Sequence, residues 1–189
     1  MGKMIDNKID RIARNLQQKN NLEHIDYLKI RVGLQIFINN LSKTIIIYGV
    51  SLLCHMFLYT LIVHLSFLFI RIFAHGAHAK SSIVCYAQSL VLFVLLPAIV
   101  GYYQVSSIYL YPLAIIGFCI LAIFAPRGTK KQPIPERLKK NKKVKTIVVS
   151  SLLLIISMFI STPYQQFILL GIIIVSTFQL PTLLFKEDV

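Results

Sequence analysis

Uncharged stretches set the pattern of this chain. Residues 81–126 contain no Asp, Glu, Lys or Arg, and residues 146–185 are equally free of them. A helix that crosses a bilayer needs about 20 apolar residues. The first stretch is therefore predicted as two spans joined near residues 101–107, and the second as two spans with a turn at Pro163. Between them lie residues 127–145, 19 positions with nine Lys/Arg and a single acid, Glu136, a density that the positive-inside rule assigns to the cytoplasm. The earlier region is harder to divide. Residues 44–70 give 27 uncharged positions, long for one span and short for two. Both flanks are basic and should lie on the cytoplasmic side, so the chain between them must cross an even number of times. A tight helical hairpin or re-entrant pair is predicted, starting near residues 31–33 and including Asn39, Asn40 and Lys43. Polar groups at that depth are tolerated only where protein or a wet cavity surrounds them. The predicted fold class is an all-α polytopic membrane protein with four clear transmembrane helices plus this irregular pair, about six membrane segments in all.

The N-terminal segment follows a different period. Ile5, Ile9, Ile12 and Leu16 share one helical face, with Lys8, Arg11 and Arg14 mostly off it, so residues 4–19 read as a basic amphipathic helix. Such a helix lies on an anionic lipid surface or packs on the rest of the protein. The first 43 residues carry eight Lys/Arg and no continuous apolar core of a signal peptide, so a retained cytoplasmic segment is expected. The expected organisation is a basic cytoplasmic segment at 1–30 and a single membrane domain at 31–189, with a cytoplasmic loop at 127–145.

Composition agrees with this pattern: 56% of residues are hydrophobic and the mean hydropathy is +0.70. The net charge of +13 sits outside the apolar runs, and with no folded basic domain to carry it, nucleic-acid binding is not expected. Three cysteines give no disulfide framework, because Cys54 and Cys119 fall inside apolar runs and one thiol is always left over.

Candidate chemistry is concentrated in one short segment, where His75, His78 and Cys85 lie between apolar runs. A thiolate is the nucleophilic form of cysteine and needs a base or a cation to form near neutral pH. Ser81 or Ser82 is a good N-cap for a helix opening at Ile83, which places Cys85 in a first turn whose free N–H groups and dipole favour an anion. On one continuous helix, His78 and Cys85 are separated by about 10.5 Å of rise, too far for proton transfer. Gly76 and the paired serines supply the bend that brings His78 over the helix of Cys85, leaving His75 in a supporting or substrate-facing place. Gln88, three residues beyond Cys85, shares its helical face and is a candidate to hold an imidazole or an oxyanion, or simply to bridge helices. A zinc site from His75, His78 and Cys85 lacks a fourth ligand nearby, so neither a metal nor another cofactor is expected. His55 and His64 are nine residues apart and not on one helical face; buried histidines bonded to backbone carbonyls are expected there.

The segment resembles the accessory gene regulator B (AgrB) family of membrane cysteine peptidases that process quorum-sensing peptide precursors in Gram-positive bacteria. Arg71, the run from His75 to Ala79 and the Cys85-Tyr86 pair fit its pattern. So do the basic N-terminal segment with Asn20, Asn21 and Leu22, the stretch from Lys130 to Pro135, and the run from Phe185 to Asp188. Lys80 stands where a close relative is expected to carry proline or a small residue. The resemblance implies a catalytic pair at His78 and Cys85, a multi-pass location in the cell membrane with that pair at the cytoplasmic face, and an AgrD-type precursor with an acidic C-terminal tail as partner. The basic loop is then expected to attract that tail, with Lys130, Lys131, Arg137, Lys139 and Lys140, together with His75 and Gln88, as candidate substrate contacts. The implied activity is a cysteine endopeptidase that removes the tail through an acyl-enzyme and promotes thiolactone closure. A peptide transporter and a scaffold presenting the precursor to a separate protease are the alternatives. Anionic lipids are the second expected partner, and self-association stays open.

Overall fold

The computed structural model describes residues 3–20, 22–76, 82–128 and 134–180. These are helical, joined by turns and one isolated bridge, in the order α1 (Lys3–Lys19), α2 (His24–Leu53), α3 (Phe57–Ala74), α4 (Ser82–Leu90), a π-helical turn (Val91–Leu95), α5 (Leu96–Tyr102), α6 (Ser107–Phe124), α7 (Glu136–Phe159) and α8 (Tyr164–Thr177). The contacts divide the chain into two compact units, Met1–Gly49 and Val50–Val189.

In the first unit, α1 buries Ile9 and Ala13 while Ile12 and Leu16 stay exposed. The predicted apolar face is thus shared between packing within the unit and an open surface. Asp10 ties the unit together: its carboxylate accepts from the Tyr27 hydroxyl and from Arg14 Nε at 2.8 Å, and Arg31 Nε lies 3.5 Å away. The Tyr27 hydroxyl, and after it Arg14, hold the Asp10 carboxyl below the usual carboxylate range.

Residues 31–70 are covered by two regular helices, α2 and α3, and not by a tight hairpin or re-entrant pair starting near residues 31–33: α2 already opens at His24. α2 runs unbroken through Asn39, Asn40 and Lys43 for 30 residues, and irregular backbone is confined to the turn that ends it. There Met56 N–H donates to Ser51 O at 2.8 Å and His55 N–H to Leu52 O at 3.0 Å, with His55 at φ 55°. This is a Schellman cap, with a histidine where glycine is usual. His55 therefore acts through its backbone. His64 is buried on α3 with its ring 4.7 Å from that of Phe93.

Among the described residues, four helices are long and apolar enough to cross a membrane: α2, α3, the run Ile83–Tyr102 and α6. The last two occupy the predicted 81–126 stretch and meet at its predicted joint. Over the described part of the second stretch, residues 146–180, the helices differ from two full spans. α7 begins with its charged half and is apolar only from about Thr146, and α8 has 14 residues, about 21 Å of helix. That is short of a hydrocarbon core of about 30 Å.

α8 is the centre of the second unit. Phe167, Leu169, Ile172, Ile174 and Val175 are all essentially inaccessible, although the helices around it expose leucine and isoleucine. Lipid tails are as apolar as leucine, so close packing and not hydrophobicity holds such helices together, and small residues mark where backbones approach. A Cβ at Gly171 would stand 2.5 Å from Ser66 Cβ and 3.0 Å from Val63 O on α3, and one at Gly117 of α6 would stand 2.9 Å from Ser176 Oγ on α8. Buried Thr146, Ser150 and Ser157 give α7 its own small-residue face, where the hydroxyls return hydrogen bonds to their own helix. Below the α3 end, Ile70 and Ala74 meet Leu121 and Ala125 near the end of α6 and Ile172 and Val175 of α8 in one buried cluster.

Two predictions follow from this packing. Gly171→Ala should destabilise the second unit by about 1–3 kcal/mol through overpacking, read as a lower Tm in detergent, and Ser66→Gly should recover part of the loss. An unchanged Tm would contradict the close approach of α8 to α3. For Asp10, a depressed folded pKa means that its contribution is complete above the unfolded value of about 3.9 and is lost as pH falls through the folded value. A carboxyl-carbon NMR titration should place its midpoint below that value, and Tyr27→Phe should move it upward.

Candidate active site

The chemistry-bearing segment begins where α3 ends. His75 caps that helix at φ 55° and Gly76 follows at φ 110°. The carbonyls of a helix C-terminus lack intrahelical partners and must find others. Here Arg71 supplies both ends of its guanidinium fork: Nη1–H donates to His75 O and Nη2–H to Gly76 O at 3.2 Å. Gln179, just past α8, donates from Nε2 to His75 O at 3.2 Å and to Ala74 O at 3.4 Å. From the far end of α6, Arg127 forms a parallel bridge to His75, accepting from Gly76 N–H at 3.0 Å and donating its own N–H to Ala74 O at 3.3 Å.

Gly76 is fixed by this enclosure. A Cβ there would meet Arg71 Nη1 at 2.5 Å, Gln179 Nε2 at 2.9 Å and Phe178 O at 2.9 Å, and the backbone angle is one that side chains resist. The Arg71 guanidinium also stacks on Phe178, 4.9 Å from the ring centroid. α7 contributes through side chains: Lys142 Nζ lies 2.8 Å from His75 Nε2, and Lys145 Nζ sits 5.6 Å from the centroid of Phe73. The turn is therefore gripped by α3, the segment after α6, α7 and the end of α8.

Cys85 is the fourth residue of α4, which opens at Ser82, one residue before the expected start. The thiol sits in the first turn, where the helix still has unpaired N–H groups and a positive dipole end. It is partly buried, while Cys54 and Cys119 are exposed, and none of the three is in a disulfide. Arg71 and Cys85 lie within electrostatic reach of each other, so the residue that clamps the turn also adds positive potential at the sulfur. Ser89 Oγ donates to Cys85 O at 2.8 Å.

The remaining candidates separate. His78 lies outside the described residues, as do Lys130 and Lys131. Gln88 is exposed on α4. Arg137, Lys139 and Lys140 are exposed on the opening turns of α7, and Lys139 pairs with Glu136. Among the described residues no three His, Cys, Asp or Glu side chains converge as a metal would require. Lys142, Gln179 and the Arg127 backbone were not singled out by the sequence. Gln179 had one available signal, an amide in the otherwise uncharged 146–185 stretch. Glu136 is the single acid between residues 27 and 186, so the cations around this turn, Arg71, Arg127, Lys142 and Lys145, far outnumber carboxylates nearby in sequence.

Comparison with known proteins accounts for the whole chain. It is 61% identical to the Accessory gene regulator protein B of Staphylococcus saprophyticus over 188 residues, covering all of both chains. It is 50% identical to the protein of the same name from Staphylococcus haemolyticus, covering 98% of this chain and 99% of that one, and 48% identical to that of Staphylococcus aureus strain RF122, covering 97% and 98%. No solved structure is significantly similar to it. The family model described as Accessory gene regulator B matches residues 9–183, which include every element of the clamped turn and Cys85. With that match and those full-length relatives, the chain belongs to the Accessory gene regulator B family.

Proposed function

We propose that this protein is a membrane-embedded cysteine endopeptidase of a quorum-sensing system, which removes the C-terminal tail of a peptide precursor and promotes closure of a thiolactone ring. The observation that carries this reading is a partly buried thiol outside any disulfide, Cys85, in the first turn of a helix and within electrostatic reach of Arg71, in a chain of this family. A helix N-terminus and a guanidinium both favour the thiolate over the thiol. His78, in the segment between the clamped turn and α4, is assigned the role of base, and Cys85 that of nucleophile.

The reaction proceeds by two acyl transfers. Cys85 Sγ, having given its proton to His78, attacks the carbonyl carbon at the cleavage point. The resulting oxyanion collapses, the C–N bond breaks, and the imidazolium returns the proton to the departing amine of the tail. The rest of the precursor is now a thioester of Cys85. An internal cysteine thiol of the precursor, deprotonated in turn, attacks that carbonyl; the new C–S bond closes the ring and the Cys85 thiolate leaves. Exchange of one thioester for another costs little, whereas water would release a linear acid irreversibly. Holding thiol and thioester together raises their effective molarity, and a site bounded by lipid and protein limits water. The first step trades an amide for a thioester and is uphill, so removal of the tail or of the ring must draw it forward.

Charge supports the choice of partner. A basic segment with one acid between residues 127 and 145 suits a precursor whose tail is acidic, and by the positive-inside rule it supports a cytoplasmic face for the pair. Lys130, Lys131, Arg137, Lys139 and Lys140 are assigned to that attraction. The 1–30 segment is assigned to the anionic lipid surface and residues 31–189 to the peptidase domain.

Purified protein in lipid vesicles, given the precursor alone, tests the assignment. Wild type should release the tail. Cys85→Ser and His78→Ala should insert normally and lose cleavage by at least about a hundredfold, while Cys54→Ser and Cys119→Ser stay active. Full activity of Cys85→Ser would overturn the nucleophile. The cyclisation half has its own test. A precursor whose internal cysteine is replaced by alanine should lose its tail and accumulate on Cys85 as a hydroxylamine-sensitive adduct visible by mass. Tail loss with no such adduct would mean that water or another enzyme completes the reaction.

A further inference from the structure

Three of the four grips on the turn after α3 act on its backbone. Arg71 and Gln179 donate to the carbonyls of His75, Gly76 and Ala74, and the Arg127 bridge pairs with Gly76 N–H and Ala74 O. The fourth acts on a ring. Lys142, half-buried on α7, approaches His75 Nε2 at 2.8 Å. An ammonium has only donors, so in this contact Nε2 is the acceptor. A charge-assisted bond of this kind holds ring orientation more firmly than a neutral one. Lys142 is moreover in a poor place to pair with a carboxylate: the one acid in its neighbourhood of the sequence, Glu136, is taken by Lys139.

We propose that Lys142 is a positioning residue for acyl transfer at Cys85, acting through His75 to hold the clamped turn from which the chain runs on to His78. The proposal rests on the peptidase reading above. His78 follows Gly76 by two residues and α4 opens six residues after it, so the turn is the anchor in sequence of both. Misplacement by about 1 Å costs up to about a hundredfold in reactions that depend on near-attack geometry. Because Arg71, Gln179 and Arg127 hold the backbone independently, removal of the Lys142 charge should disturb orientation while the helices stay assembled.

The test measures kcat and KM for tail release by the full chain in vesicles. Lys142→Met keeps an unbranched stem of similar length, and should lower kcat by about tenfold or more, the scale of a lost charge-assisted hydrogen bond, with KM within about twofold of wild type. Lys142→Arg keeps a donor and should recover most of the rate. In a His75→Ala background, Lys142→Met should cause no further loss, because the residue through which it acts is gone. A Lys142→Met enzyme with wild-type kcat overturns the proposal. So does a raised KM at unchanged kcat that persists in the His75→Ala background, which would make Lys142 a direct contact of the acidic tail. If Lys142→Met does not reach the membrane, Lys142→Gln against Lys142→Arg gives the same comparison, and equal rates in that pair overturn it. A wild-type chain that cleaves nothing would instead bring down the peptidase reading, and this proposal with it; normal cleavage by wild type with an inert Lys142 would bring down this proposal alone.

Discussion

The carbonyl oxygens at the end of α3 are the constraint around which the second unit is arranged. In lipid, a backbone acceptor that leaves a helix without a partner costs several kcal/mol, roughly as much as a substantial fraction of a domain's net stability. Three such groups, at Ala74, His75 and Gly76, are met by a guanidinium from the same helix, an amide from beyond α8 and the backbone after α6. Each partner belongs to a different element, so satisfying one helix end fixes the relative placement of several. Gly76 is the steric condition for it, since a methyl group there would occupy the space of the Arg71 and Gln179 donors.

Packing beneath this turn explains how a helix as short as α8 can be the core of a membrane protein. Its backbone is satisfied internally, its side chains meet protein and not lipid, and no length requirement applies to a helix that other helices enclose. The cost is steric. Gly171 and Gly117 sit where α3 and α6 come closest to it, and the serines and threonine of α7 take small volumes and bond to their own helix. Large apolar side chains are accordingly turned outward on α2, α6 and α7, the reverse of a water-soluble bundle.

Electrostatics connect that architecture to function. Arg71 is at once the clamp of the turn and a cation within electrostatic reach of Cys85, so one side chain serves both the geometry of the turn and the charge around the thiol. With Glu136 the sole acid over 160 residues, from 27 to 186, the basic surface has little internal compensation. Under the proposed function, a precursor that carries carboxylates would be attracted to it, and a product stripped of them would not be held by the same force.

Hydropathy and charge along the chain were enough to mark it as helical and membrane-bound, to place α4 through α6 between residues 81 and 126, and to set Cys85 in the first turn of a helix. These follow from local quantities: transfer free energy adds residue by residue, and a cap or dipole acts within one turn. The same local signals were less informative about α2, where Asn39, Asn40 and Lys43 suggested broken structure that an internally bonded helix does not need, and about α8, whose apolar run looks the same whether lipid or protein surrounds it. The clamp on the turn was beyond them altogether. Lys142 is 67 residues from His75 and Gln179 is 104 from it, and nothing in the composition of either neighbourhood encodes the other. Pairing of polar groups depends on distances between elements, and those distances exist only once the small residues of α3, α6 and α8 have let their backbones meet.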